Sequence, residues 1–261
     1  MNKYQILLEY VGTKYVGWQS QKNGRSIQNT VQLYLKKLLK KKIIIHGAGR
    51  TDSGVHAIEQ SAHFYYKEKL TNIPKLIKSL NFFLNKKEIS ILIIKKKNIN
   101  FHARHSAKER TYNYLIRNGI SQSVINMKRE WHLIKNLDIG IMKKGAKKFL
   151  GTHDFSTYRS SSCDATNPIK TIKKLTIKKN KTLISIDIVS KSFLKSQVRS
   201  MVGCLKYLGE KKWTLKKFEK VLKSKKALFL KIKLPLDCTC TYFTFFNFIF
   251  CYLSISPKTI S

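Results

Sequence analysis

From Tyr4 to Tyr10 apolar and polar residues alternate, the period of a strand with one buried face. Ser26 then stands where it can cap a helix over Ile27 to Lys40, whose Ile27, Val31, Leu35, Leu38 and Leu39 share one face. Ile43 to Ile45 is a short apolar run of strand type, and Gln60 to Tyr66 predicts a third strand. Asn72 to Leu84 predicts a second helix, with Pro74 in its first turn, where a missing N–H is tolerated. Ile89 to Lys95 completes a β-α-β-β-α-β order, that of a ferredoxin-like unit.

The second half repeats this order approximately, without repeating the sequence. Thr111 to Arg117 reads as a strand and Asp138 to Leu150 as a helix. Lys170 to Lys178 and Leu183 to Val189 read as strands paired around Asn180, followed by helices over Phe193 to Leu208 and Leu215 to Lys223. The pattern predicts an α+β chain with a half over residues 1–105, a second over 106–230 and an atypical tail over 231–261.

A hydrophobic content of 43% with 14 phenylalanines indicates a folded body large enough for a sizeable core. The net charge of +38 is spread along the chain among apolar residues, as in a folded protein that holds a polyanion. Lys, Ile and Asn also have A- and T-heavy codons, so base composition is a second source of the same charge. The five cysteines (Cys163, Cys204, Cys238, Cys240, Cys251) have neither the number nor the spacing of a disulfide framework. Cys238 and Cys240 stand too close together for half of a zinc clamp, and His102 and His105 have no carboxylate or thiol at ligand spacing. No metal is expected. The N-terminus opens straight into a strand, so a cytoplasmic protein is expected.

One loop carries candidate chemistry. Ala48-Gly49-Arg50-Thr51-Asp52-Ser53-Gly54-Val55-His56 follows the Ile43–Ile45 run, and its glycines allow a sharp turn and close approach of a flat ligand. Asp52 is one acid in a chain poor in acids. It reads either as a nucleophile or base, or as a turn residue bonding nearby N–H groups.

This loop resembles the signature of the tRNA pseudouridine synthase A family. The resemblance continues through Glu9 to Gln19, Phe101-His102-Ala103-Arg104, Arg110-Thr111-Tyr112-Asn113-Tyr114, Gly151 to Ser156, Ser160 to Cys163, and Phe193-Leu194 ahead of Val198-Arg199, so it covers roughly residues 3 to 210. It implies two ferredoxin-like halves joined in one extended mixed or antiparallel sheet flanked by helices, an active cleft between them, and a homodimer. It implies Asp52 as the catalytic carboxylate, Tyr112 as the platform under a flipped base, and Arg199 as the cation that keeps Asp52 ionised. Arg50, two residues from Asp52, is read as holding phosphate or filling the space the base leaves; a solvated loop arginine is its other reading. Lys173, Lys174, Lys191 and Lys195 are read as RNA-backbone contacts. Ser196-Gln197 departs from the family's frequent His-Met. The implied reaction isomerises uridine in the anticodon arm of tRNA, at positions 38 to 40, with no cofactor. A basic RNA-binding protein without chemistry, or a synthase for other RNA positions, are the alternatives.

The tail breaks the pattern. Thr241 to Leu253 is almost wholly aromatic and aliphatic but shorter than the ~20 residues of a membrane helix. A buried strand pair is one reading. Another follows from the family's terminal Ala-Pro and Gly-Leu-Tyr-Leu, where this chain has Leu234 to Thr241. Read one frame over, codons for these residues can spell the missing motif, which points to a frame change near Lys225-Lys226.

Overall fold

The computed structural model describes residues 1–21, 24–224 and 239–244, the last through its backbone pairing. The first half runs β1 (Asn2–Tyr10), α1 (Ile27–Leu39), β2 (Ile45–Gly47), β3 (His56–Tyr66), α2 (Ile73–Leu84) and β4 (Ile89–Lys97). Strand β1 lies between β4 and β3, antiparallel to both, and β2 pairs antiparallel with the far end of β3. Helix α1 begins where its cap predicts, the Ser26 hydroxyl accepting from Asn29 N–H, and ends at Lys40 in the left-handed region. Its Ile27, Val31 and Leu35 are fully buried against Tyr4, Ile6, Leu8 and Phe64 of the sheet. Truncating one of these, Leu35→Ala for example, costs about 2–5 kcal/mol.

The second half runs β5 (Glu109–Asn118), β6 (Trp131–Leu133), α3 (Ile139–Lys148), β7 (Gly151–Asp154), β8 (Ile169–Asn180), β9 (Leu183–Ser190), α4 (Gln197–Gly209) and α5 (Leu215–Lys223). It has its own core, in which Tyr114, Ile184, Ile186 and Ile188 of the sheet meet Met142, Phe149, Met201, Leu205 and Phe218. Strand β10 (Thr239–Thr244) then enters the gap between the halves, parallel to β3 and antiparallel to β5. The outcome is one mixed sheet in the order β4-β1-β3-β10-β5-β9-β8-β7, with β2 beside β3 and β6 beside β5.

Several boundaries differ from the sequence reading. The Ile43–Ile45 run enters its strand only at Ile45, and β3 starts four residues before Gln60. Helix α4 begins at Gln197 rather than Phe193, because Ser196 takes a left-handed conformation (φ 64°). Most of the tail reading, including Leu234 to Cys238, lies outside the described residues; Thr239 to Thr241 open β10.

Candidate active site

The Asp52 loop leaves β2 at Gly47, and its path is set by close packing. A Cβ on Gly47 would stand 2.5 Å from the Trp18 ring, so this position has room for no side chain. Trp18, itself buried, donates its main-chain N–H to the Thr51 carbonyl at 3.1 Å. Gly17, at φ 114°, brings the chain against the same carbonyl, where a Cβ would sit 2.5 Å away.

Around these contacts the loop is held residue by residue. Ala48 N–H donates to the Ser61 carbonyl at 2.8 Å, and the buried Gln60 amide donates to the Gly49 carbonyl at 2.8 Å. The Tyr10 and Thr51 hydroxyls share a buried hydrogen bond of 2.8 Å. Ser53 Oγ and Gly54 N–H both donate to the Tyr15 carbonyl. Val55 N–H closes the turn on the Asp52 carbonyl at 3.2 Å, so that turn is made by main-chain atoms. Half-buried, Asp52 lines the cleft.

That cleft, about 660 Å³, lies between the halves, and every sequence-predicted site residue borders it: Arg50 and Asp52 from the loop, Tyr112 from β5, Arg199 from α4. Tyr112 meets Phe193 edge to face, with ring centroids 5.0 Å apart. Its hydroxyl is pushed up to about 12, first by burial and then by the Asp52 charge, with Arg110 opposing. The ring therefore stays neutral at neutral pH while lying within electrostatic reach of Asp52. Arg50 is exposed and Arg199 half-buried. Of the four lysines, Lys195 borders the cleft, where it donates to Ser162 Oγ at 2.9 Å; Lys173 is paired with Glu109 at 2.7 Å.

The Ser196-Gln197 departure has a local use. Gln197 is fully buried, its Oε1 accepts from Leu194 N–H at 2.8 Å, and its own N–H donates to the Leu194 carbonyl. This closed turn leads directly into the α4 turn that carries Arg199. Arg104 and Arg110 also border the cleft, as does half-buried Cys163. The sequence alone assigned these three no role, yet each sits in a stretch that carries the family resemblance (Phe101 to Arg104, Arg110 to Tyr114 and Ser160 to Cys163), which was the available signal. The His102 and His105 rings meet tilted with centroids 4.4 Å apart, and the row continues edge-on to His63, which stacks on His46; among the described residues no group of three or more His, Cys, Asp or Glu can hold a metal ion.

An open α+β sheet whose central cleft gathers two carboxylates (Asp52 and Asp164), a neutral tyrosine and several arginines matches a class of RNA-modifying isomerases. The chain belongs to the tRNA pseudouridine synthase family, whose model matches residues 6–106 and 146–235. It is 58% identical to tRNA pseudouridine synthase A of Pelagibacter ubique over 228 residues, 87% of this chain and 93% of that protein. Proteins of the same name from Methylocella silvestris and Sinorhizobium medicae are 38% and 40% identical, covering 86% and 82% of this chain and 90% and 87% of theirs. Among solved structures, a Cbf5-Nop10-Gar1 complex aligns over 77% of this chain and 54% of that chain with a TM-score of 0.32 and 10% identity, too low to carry any inference.

Proposed function

We propose that this chain converts uridine to pseudouridine in the anticodon arm of tRNA, at positions 38 to 40, with Asp52 as the reacting carboxylate. The observation that supports this most is the convergence of Asp52, Tyr112, Arg50 and Arg199 from three separate elements on one cleft. The reaction detaches uracil from ribose, turns it and rejoins it through carbon, so it needs an anionic group at the sugar and exclusion of water rather than a redox or metal cofactor. Asp52 supplies that anion, either by attack on the sugar carbon or by taking its neighbouring proton. The uridine leaves its stack to reach Asp52, and Tyr112 receives the flipped base, a contact worth ~1–3 kcal/mol. Arg50 at the exposed rim contacts the RNA, and Arg199 is the cationic partner of Asp52 in the cleft.

The net charge of +38 suits a polyanionic partner. The same reading includes a cytoplasmic homodimer with halves at residues 1–105 and 106–230. Among the described residues no helix is long and apolar enough to cross a membrane. Residues 231–261 are read as an altered tail whose coding frame shifted upstream; genomic sequence that spells no Gly-Leu-Tyr-Leu in the neighbouring frame overturns that part.

The test is mass mapping of an unmodified tRNA incubated with the chain, its Asp52→Asn variant and a frame-restored version. Conversion in the anticodon arm that falls ~10²–10⁴-fold in the variant supports the reading. Conversion elsewhere reassigns the substrate position. Binding without conversion by all three makes the chain a tRNA-binding protein.

A further inference from the structure

Arg110 stands where the two halves meet. In β5 it pairs with Ser190 of β9 on one side and Phe243 of β10 on the other. Its guanidinium reaches out of its own half. Nη2 donates to the Ala48 carbonyl at 2.9 Å and to the Arg104 carbonyl at 3.1 Å, while Nη1 donates to the Lys191 carbonyl.

These acceptors belong to three segments remote from one another in sequence. Ala48 is the root of the Asp52 loop. Arg104 ends a strap that crosses the polar face of the first half, where Lys3 Nζ donates to the Ile99 and Phe101 carbonyls and Ala103 N–H donates to His63 Nδ1. Lys191 follows β9 in the second half. Three carbonyl dipoles gathered at one point repel unless a cation lies between them, and the planar fork of a guanidinium suits that task better than a point charge. Hydrogen bonds from a charged donor are roughly twice as strong as neutral ones. Tyr112 is two residues further along the same strand, so it shares a sheet face with Arg110. One side chain therefore ties the loop bearing Asp52 to the strand bearing Tyr112.

We propose that Arg110 is a positioning residue that fixes the Asp52 loop against the second half, so that it governs the chemical step and not tRNA affinity. The role rests on the reading of Asp52 as the reacting carboxylate. The link it makes is carried by side-chain bonds directly to the loop, in addition to the backbone bridge of β10. Loss of the fork frees the Ala48 carbonyl and lets the loop drift from Tyr112. A displacement of about 1 Å between reacting groups lowers a rate by roughly 100-fold.

The experiment compares the full chain with Arg110→Gln and Arg110→Lys. It measures the single-turnover rate at saturating tRNA, the tRNA dissociation constant, and amide hydrogen exchange over residues 47–55 without RNA. The expected result for Arg110→Gln is a rate lower by roughly 100-fold, a dissociation constant within about threefold of the parent, and faster loop exchange. Arg110→Lys keeps a cation that can bond one carbonyl and recovers part of both rate and protection. Affinity that weakens in step with the rate overturns the proposal in favour of a phosphate contact. Unchanged loop exchange in Arg110→Gln overturns it as well. If neither the parent chain nor its frame-restored version converts uridine, the Asp52 reading fails, while loop exchange still decides whether Arg110 holds the loop.

Discussion

The Tyr10 and Thr51 hydroxyls meet at 2.8 Å out of contact with water, one residue before Asp52. Burial raises the pKa of the Tyr10 phenol, which its hydrogen bond with the Thr51 hydroxyl opposes in part. Tyr10→Phe leaves the Thr51 hydroxyl buried without this partner, at a cost of about 1–3 kcal/mol, whereas removing both hydroxyls is nearly neutral. Thermal unfolding should therefore show Tyr10→Phe destabilised and the double variant Tyr10→Phe/Thr51→Val largely restored. Turnover should stay low in both, because the pair also orients the residue next to Asp52. Full activity in the double variant would show that the pair serves stability alone.

Gly47 presses on Trp18 from the other side of the loop. A methyl group there overlaps the indole at 2.5 Å, and relief requires Trp18 to move, taking with it the N–H that holds the Thr51 carbonyl. Gly47→Ala is expected to cost about 1–3 kcal/mol as an overpacked site. The rate at saturating tRNA should fall while the chain remains folded at room temperature. A variant that melts like the parent would mean that the loop yields without Trp18.

His63 predicts a dependence on pH. It is buried, accepts from Ala103 N–H through Nδ1, and lies among the His46 and His102 rings with Lys3 close by. Burial first, then the charges of His102, His46 and Lys3, lowers its pKa from 6.5 to about 4. The unfolded chain takes up this proton near pH 6.5 and the folded chain only near pH 4. Between those values the unfolded state binds more protons, so stability present above 6.5 is lost as pH falls towards 4. The melting temperature should decline across this window, and His63→Gln, which keeps an acceptor but does not titrate there, should flatten the decline. An equal decline in the variant would assign it to other groups.

How much of this was legible in the sequence depends on how local each feature is. Helix α1 could be read because its cap, apolar face and end all lie within its own residues. The Asp52 loop was legible as an unusual composition following an apolar run. Strands β6 and β7, of three and four residues, are too short to leave a period in the text. The start of α4 was misplaced because a buried Gln197 closes a turn there, and one polar residue gives no sign of burial. The bonds that hold the site span the chain: Tyr10 to Thr51 over 41 residues and Arg110 to Ala48 over 62. No window of sequence contains both ends of such a bond. The convergence on the cleft was implied by family resemblance, and periodicity alone did not reveal it.

Strand β10 pairs Cys240 with His56 on one side and Asn113 on the other, so the middle of the sheet is built from a late part of the chain. During synthesis, therefore, each half can collapse on its own local contacts, but the ladder between them waits for the last described strand to emerge. Contacts of such long sequence separation are slow to form. Until then β3 and β5 each present an open edge to any passing strand, the condition under which nascent chains mispair and aggregate. A coding change late in the message would thus act on the seam of the molecule rather than on its periphery, and its first symptom would be poor yield of folded protein.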